Sequence, residues 1–320
     1  MTAFDPYIGR REAVGFGIGS DPTATVAPQI FMRWLDQDIQ PKTEIIENDS
    51  AMGVVEKIND SEVVGKWVEG TIGGKVTDIA VGFPLLGWFG SVSTGAAVSG
   101  VYPHTFEVSQ SSIPPAMTLA KVTPAKSERY SYLTFDTLEL TAEKQGWVQI
   151  SSAVKARIGT SSSETVAFST EKEFTSKNIV LKTAANIAGL AAASPIDALS
   201  LKLNLERSSE SFFPLGGDDN PKFDRGTVEA KGEFVIRYAN TDVEDDYLAH
   251  AIKAMSITLT NGTSSLAFTA GKVRFTELEK SSDKDEIITQ TISFSCQLDA
   301  TTSKTISALL KNTRATYAAA

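Results

Sequence analysis

Two histidines and one cysteine are the side chains of this sequence best suited to catalysis or metal binding. His104 follows a proline where a predicted strand begins, and His250 lies on a charged predicted helix. A hydrolytic triad needs a nucleophile, a base and an orienting carboxylate, and the sequence has no Gly-x-Ser-x-Gly motif. We therefore interpret both histidines as surface or structural residues. The Cys and His residues are too few, and wrongly spaced, for a usual zinc site.

The single cysteine, Cys296, alternates with apolar residues in TISFSCQLDA, and this pattern predicts a buried thiol in a strand. One cysteine allows no disulfide within the chain, which is typical of folding in a reducing compartment. Two glycine-containing stretches are also poor candidates for a site. Gly15–Ser20 lacks the dinucleotide-binding spacing, and Gly216–Asn220 lacks the calcium-loop pattern. We predict no enzyme activity, no cofactor and no metal.

The composition excludes further classes of function. The 320 residues carry a formal net charge of −9, which argues against general binding of nucleic acid and against docking on an anionic membrane. The N-terminus has no apolar run after a basic start, so we expect no signal peptide. The longest apolar block, residues 79–92, is too short for a membrane span, which needs about 20 apolar residues.

The elements that would position any site are mainly β-strands, because short runs rich in β-branched residues alternate with turn residues. We predict an extended, irregular arm over residues 1–30, a first β domain over 31–190 and a second over 195–320. The small-residue stretch 184–193 is the predicted boundary. Asn261-Gly262 predicts a type I′ hairpin that places Ile257 and Leu259 opposite Leu266 and Phe268.

Two short helices interrupt the strands. Residues 79–90 have apolar side chains at helical spacing, with Thr77 or Asp78 as a possible N-cap and with Pro84 indicating a late start or a kink. This helix is apolar all round, so it needs cover on every side. The second helix, over residues 242–254, is amphipathic, and Asp242 is its expected N-cap.

The two halves of the sequence resemble each other weakly. Leu86 follows Gly70 at the same spacing at which Leu248 follows Gly232, and each pair is flanked by alternating strands. Two explanations stay open, chance and a duplicated β domain.

The order of segments resembles the tail tube (major tail) proteins of long-tailed, non-contractile bacteriophages. The resemblance rests on the arm AVGFGIGSDPTATVAPQIFMRWL, the strand segment VVGKWVEGTIGGKV, the helix LLGWFG, and the later segments YLTFDTLELT, LGGDDNPKFDRGTVEAKGEF and ITQTISFSCQLDA. It extends from about Ala13 to Asn312, and it rests on the order of the elements because no single motif is diagnostic.

The resemblance implies a mainly β protein, a β-sandwich or tube-barrel domain with short packed helices, that assembles as stacked rings around a hollow tube. Its partners would be other copies of itself, a tape measure protein, and the tail terminator and tail-tip proteins. DNA would pass through without specific binding. The protein would be assembled in the bacterial host cytoplasm and would reside in the virion tail. If the internal repeat is real, two tandem tube domains imply three chains in a pseudo-six-fold ring, and otherwise six chains form it.

In this interpretation the apolar helix helps to seal subunit contacts, and loops over residues 47–63 and 212–225 reach a neighbouring subunit or ring. The expected contact residues are Trp67, Leu85, Leu86, Trp88, Phe89, Phe212, Phe213, Asp218 and Asp219. The net charge suggests a carboxylate-rich lumen that repels DNA phosphates. Three alternatives stay open: the inner tube of a contractile injection device, a monomeric β-sandwich binding module, and a hydrolase with a non-standard site.

Overall fold

The computed structural model describes residues 6–216 and 220–318. This part of the chain is mainly β, with two short α-helices and three 3-10 turns (Gly9–Arg11, Ser176–Asn178 and Ile187–Ala191). The strands before the first helix are β1 (Ala13–Ile18), β2 (Ile30–Met32), β3 (Trp34–Gln37), β4 (Gln40–Asn48) and β5 (Asp60–Lys75). The first helix is α1 (Gly82–Phe89), and the strands that follow it are β6 (Gly90–Thr94), β7 (Tyr102–Val108), β8 (Met117–Val122), β9 (Ser127–Tyr130), β10 (Thr134–Phe135), β11 (Thr137–Glu143), β12 (Gln149–Arg157) and β13 (Thr160–Ser161).

The remaining elements follow in the same order along the chain. The strands before the second helix are β14 (Ile179–Ala184), β15 (Pro195–Ile196), β16 (Ala198–Glu206), β17 (Ser209–Phe212), β18 (Lys222–Arg225) and β19 (Glu229–Arg237). The second helix is α2 (Asp242–Leu248), and it is followed by β20 (Lys253–Asn261), β21 (Ser264–Lys280), β22 (Thr289–Cys296) and β23 (Ser307–Asn312).

One continuous antiparallel sheet crosses the whole chain in the order β4-β5-β12-β11-β16-β19-β22-β21, and we call it the inner sheet. Its strands alternate between buried and partly exposed side chains, as a sheet with one covered face requires. The joint between the two halves of the chain is the pairing of β11 with β16, in which Leu138 lies opposite Leu205 and Leu140 opposite Leu203. These leucines are buried in a core that extends through both halves.

The same strand order occurs twice. In the first half, β4-β5-β12-β11 lie side by side in the inner sheet, and β13-β9-β8-β1-β2 form a second sheet. In the second half, β16-β19-β22-β21 continue the inner sheet, while β23, the first part of β21, β20, β14 and β15 lie side by side in the matching order. Strands at equivalent positions in the two halves also follow one another in the same order along the chain. Both the strand neighbours and the connections between strands are therefore repeated.

The two glycines that share a sequence spacing, Gly70 and Gly232, occupy equivalent positions in this repeat. Gly70 lies opposite Val154 of β12, and Gly232 lies opposite Phe294 of the matching strand β22. A Cβ atom on Gly70 would lie 2.7 Å from the carbonyl oxygen of Asp38, and one on Gly232 would lie 2.3 Å from that of Lys202. Each glycine therefore permits the close approach of a neighbouring backbone at the same place in the two halves.

Helix α1 explains the short apolar segment of the sequence. All of its residues are buried, and the rings of Trp88 and Phe89 make an edge contact at 4.8 Å. It begins at Gly82, which places Pro84 in the first turn and confirms the late start. The predicted cap by Thr77 or Asp78 is wrong, because Val81 occupies that position without a side-chain hydrogen bond. Asp78 is instead buried, where it accepts hydrogen bonds from Ser264 Oγ and from the Lys172 amide.

The second helix and the hairpin differ from prediction in their details. Helix α2 ends at Leu248 rather than near residue 254, and Thr241 rather than Asp242 precedes it. The hairpin pairs Ile257 with Phe268 and Leu259 with Leu266, as predicted. Its turn is shifted by one residue, because Asn261 pairs with Ser264 and leaves residues 262 and 263 as the loop. Gly262 alone has a positive φ there (64°), so the predicted type I′ turn is wrong.

Two segments differ from the predicted domain organisation. Within the expected arm over residues 1–30, strand β1 is buried throughout and pairs with β2 and β8, so the prediction is wrong for Ala13–Ile18. The predicted boundary at 184–193 holds the end of β14 and a 3-10 turn. Strand β14 pairs with β20 of the second half. The first set of repeated strands therefore ends at Ser161, and the second set begins at Ile179. No helix in the described residues is long and apolar enough to cross a membrane.

Candidate assembly surfaces

The uncovered face of the inner sheet carries alternating positive and negative side chains. Leucines point to the core from every second position of β11 and β16, so the intervening side chains point to the other face. There Lys202 Nζ lies 2.9 Å from Glu139 Oε2 on the neighbouring strand, and Lys231 Nζ lies 3.1 Å from Glu206 Oε1. The hydrogen bond and the charge of Glu206 raise the pKa of Lys231. This surface, which we call the open face, is charged, and these two pairs neutralise part of its charge.

The open face is concave over the second half of the chain. A shallow cavity of about 500 Å³ lies over β16, β19, β22 and β21. Its lining is hydrophilic apart from Phe294, and it includes Lys202, Asn204, Lys231, Glu233, Ser293 and Ser295. A concave, polar sheet face without an apolar patch is suited to lining a water-filled passage and unsuited to packing against another protein core.

The loop between β4 and β5, residues 49–59, is an exposed apolar tip. Met52, Val54 and Ile58 are all exposed, and Val55 retains 99% of its accessible surface. The flanking strand β4 is exposed along its whole length. Several large apolar side chains close together on one projecting hairpin are characteristic of a protein contact rather than of a solvated loop.

The matching loop of the second half, between β16 and β19, is anchored at its base. Arg225 is buried and donates from Nη2 to the carbonyl oxygen of Ile113 (3.0 Å) and from Nη1 to that of Gly87 (3.3 Å). Arg207, also buried, donates to the carbonyls of Ser109 and Ser111. Burial lowers the pKa of Arg225 to about 9. The two arginines hold the base of this loop against the end of α1, and Leu215 lies fully exposed at its tip.

The structure separates the residues predicted from sequence as subunit contacts into three groups. Leu85, Leu86, Trp88 and Phe89 are buried inside the chain, so the prediction that they contact a neighbouring subunit is wrong. The physical reason is that strands of the same chain cover α1 on every side. The predicted Asp218 and Asp219 lie outside the described residues.

The third group consists of aromatic residues of the second loop and of β5. Phe212 is 51% exposed, whereas Phe213 packs on the ring of Trp67, with a centroid distance of 6.1 Å, and over Gly65. Trp67 and Phe213 are therefore partly covered within the chain. Phe212 is the one of the three that offers a large free apolar surface.

Of the three side chains best suited to catalysis, His104 and Cys296 are buried inside the chain and His250 is exposed just after α2. His104 is fully buried, with Nε2 2.9 Å from the carbonyl oxygen of Arg314 and Nδ1 2.8 Å from Thr94 Oγ1. Only a protonated Nε2 can donate to the carbonyl, and in a neutral ring Nδ1 then accepts from the threonine hydroxyl. Burial lowers the pKa of His104. Cys296 is buried, as predicted, and burial raises the pKa of its thiol to about 12. Within residues 6–216 and 220–318 no group of acidic, His or Cys side chains could hold a metal ion.

Sequence reasoning missed the charge pattern of the open face. The signal was present in LSLKLNLE and EAKGEF, where the polar positions include charged residues of both signs. The alternation predicts strands, but it cannot predict the ion pairs, because the partner of each charge lies on a strand that is distant in sequence.

Comparison with known proteins identifies a family. The family model described as phage tail tube protein matches residues 9–296, which is most of the chain. No curated protein matches it.

Proposed function

The chain belongs to the phage tail tube protein family, and from this premise we propose that it assembles into stacked rings that form the hollow tube of a phage tail. As a member of this family it has a structural role in the virion tail. The observation that carries the proposal is the inner sheet, because it is long, concave and uncovered on one face, and it ends in free strand edges at β4 and β21. Ring closure would remove both edges.

We further propose that the chain contains two related tube domains, and that three chains form a pseudo-six-fold ring. The repeated strand order and the equivalent glycines, Gly70 and Gly232, support this proposal. If the two halves are equivalent in the ring, the contact between β11 and β16 inside one chain alternates with a contact of the same kind between chains.

In the proposed tube the open face lines the passage for DNA. Two glutamates of this face, Glu139 and Glu206, pair with lysines across strands, so part of its negative charge is neutralised locally. A lysine that is paired with a carboxylate attracts a phosphate less than a free lysine does, so DNA would pass without being held. The exposed tips at residues 49–59 and 212–216 are the proposed contacts to the next ring.

The remaining proposals concern partners and setting, and they rest on the family. The tube would assemble in the host cytoplasm around a tape measure protein and end at terminator and tip proteins. We propose a non-contractile tail and a non-enzymatic protein. A sheath bound to the outside of the tube would contradict the non-contractile assignment and support a contractile device.

The test is electron microscopy of the concentrated, purified full chain, with symmetry read from end-on views. Hollow tubes with three chains per ring would support both the tube and the tandem domains. Tubes with six chains per ring would retain the tube and contradict the tandem arrangement. A chain that stays monomeric at every concentration would contradict self-assembly and favour a binding module.

The role of the open face needs a separate test in phage particles. Replacing Glu139 and Glu206 by glutamine would leave Lys202 without its carboxylate and Lys231 with only the more distant Glu229 (3.7 Å), and we expect slower DNA ejection at unchanged tube assembly. Asp283→Asn and Asp285→Asn, on the exposed loop between β21 and β22 and outside the ion pairs of this face, provide the matched loss of charge. Equal ejection rates for both double variants would contradict the lumen assignment.

A further inference from the structure

The pairing of β11 with β16 supplies a template for a second joint, between chains. We propose that the free edge of β21 at residues 277–280 pairs antiparallel with the free edge of β4 of another copy, and that its register is that of the internal joint. This inference rests on the proposed ring assembly and adds to it which strands meet and which residues lie opposite each other.

The register follows from positions shared by the two halves. Strand β12 places Ile150 opposite Leu140, and the matching strand β22 places Gln290 opposite Lys280. Lys280 therefore corresponds to Leu140, and Glu279 corresponds to Glu139. On the other strand, Asn204 lies opposite Lys231, the residue before Gly232, and Gln40 lies opposite Glu69, the residue before Gly70. Asn204 therefore corresponds to Gln40.

Transferring the internal pairs gives the proposed joint. The internal pair of Glu139 with Asn204 becomes Glu279 with Gln40, which keeps a carboxylate opposite an amide. The pair of Leu138 with Leu205 becomes Leu278 with Pro41, on the core side of the sheet. The pair of Thr137 with Glu206 becomes Glu277 with Lys42, which brings opposite charges together across the joint.

Both edges are free in the described residues. Strand β4 pairs only with β5, and residues 274–280 of β21 pair only with β22. The amide of Asp38 donates to Thr71 (3.2 Å), so every second residue from Asp38 faces β5, and the residues between them face outward. Pro41 is one of these outward residues and has no N–H. A proline at this point discourages indiscriminate pairing of the edge in the free chain and leaves the joint one hydrogen bond short.

A cavity beside β4 fits the incoming side chain. It has a volume of about 380 Å³, and Ile39, Pro41 and Val68 form part of its wall. In the proposed register Leu278 of the second copy lies over Pro41 at this cavity. Leu278 is packed only partly against the core of its own chain, so its remaining apolar surface is available to the neighbour.

The first test is a disulfide across the joint. Gln40 and Glu279 would form a non-hydrogen-bonded pair, with Cα atoms about 4.5 Å apart, which suits a disulfide. We expect tubes of the Gln40→Cys, Glu279→Cys variant, in a Cys296→Ala background, to give covalent trimers on oxidation. The control is Lys42→Cys with Glu279→Cys, a diagonal pair about 7–8 Å apart that should not link.

The outcomes separate the joint from the proposed function. Tubes that form without the 40–279 disulfide, or that link the control pair instead, would overturn the joint and leave the tube intact. A parent chain that forms no tubes would overturn both.

A charge exchange provides a second test that does not depend on disulfide geometry. Lys42→Glu and Glu277→Lys should each raise the critical concentration for assembly about 2–5-fold, and the double variant should recover most of this loss. Lys42 also lies 3.7 Å from Glu69 in its own chain, so the recovery is judged against the Lys42→Glu single variant. Additive effects of the two substitutions would contradict the pairing.

Discussion

Replacing Gly232 by alanine should destabilise the folded chain, because a neighbouring backbone occupies the space that a Cβ atom needs. The new atom would lie 2.3 Å from the carbonyl oxygen of Lys202 and 2.6 Å from Cζ of Phe294. The phenyl ring is buried and packs on Phe234, so it cannot move away without disturbing the core. The carbonyl is also held in place, since Lys202 belongs to β16, which lies between β11 and β19.

Two opposing effects decide the size of the change. Alanine in place of glycine gains about 0.5–1 kcal/mol from reduced backbone entropy in the unfolded chain. Overpacking of a buried site costs about 1–3 kcal/mol, and more where backbone must move. We therefore expect a net loss of about 1–2 kcal/mol in the free energy of unfolding. For a chain of 320 residues that lowers the apparent Tm by about 1.5–3 °C.

The matched position is Gly70, whose Cβ would lie 2.7 Å from the carbonyl oxygen of Asp38. Asp38 lies in the edge segment beside β4, which has no strand on its other side and can move outward. Gly70→Ala should therefore cost less than Gly232→Ala.

The assay is thermal unfolding of the two variants beside Gly9→Ala, where no atom lies within 4 Å of the new Cβ. If Gly232→Ala melts at or above the temperature of Gly9→Ala, the space between β16 and β19 is large enough for a Cβ atom, and the reasoning is refuted.

Three further predictions concern the core and the anchored loop. His104 has a lowered pKa, so its contribution to stability is full above its ordinary pKa of 6.5 and is lost as the pH falls below that value towards the folded-state pKa. Tm should fall more between about pH 7.5 and pH 5.5 for the parent than for His104→Gln, and equal slopes would contradict this. Arg225→Lys should cost about 1–3 kcal/mol and expose the loop to proteolysis, because an ammonium group cannot span the carbonyls of Gly87 and Ile113. A parent-like digestion pattern would argue against anchoring. Gly87→Ala should lower Tm, because its Cβ would lie 2.0 Å from a ring carbon of Phe135, and adding Phe135→Leu should restore part of the loss. A double variant no more stable than the single would show that the clash lies elsewhere.

Much of the secondary structure follows from the sequence, because the signals are local. The leucines of β16 alternate with polar residues, which suffices to predict a strand with one buried face. The paired residues of the β20–β21 hairpin were predicted correctly for the same reason. The turn between them was not, since Asn-Gly is compatible with two loop registers and only the packing of the strands selects one.

The candidate site depended more on tertiary structure. The all-round apolar character of α1 determined that it would be covered, and the sequence could not show that its own chain would cover it completely. The open face consists of residues whose strand partners lie far away in the chain, as for Glu139 and Lys202. The spacing of Gly70 and Gly232 was visible in the sequence. Only the strand order shows that the two glycines are equivalent, because each lies beside the backbone of the matching neighbouring strand segment.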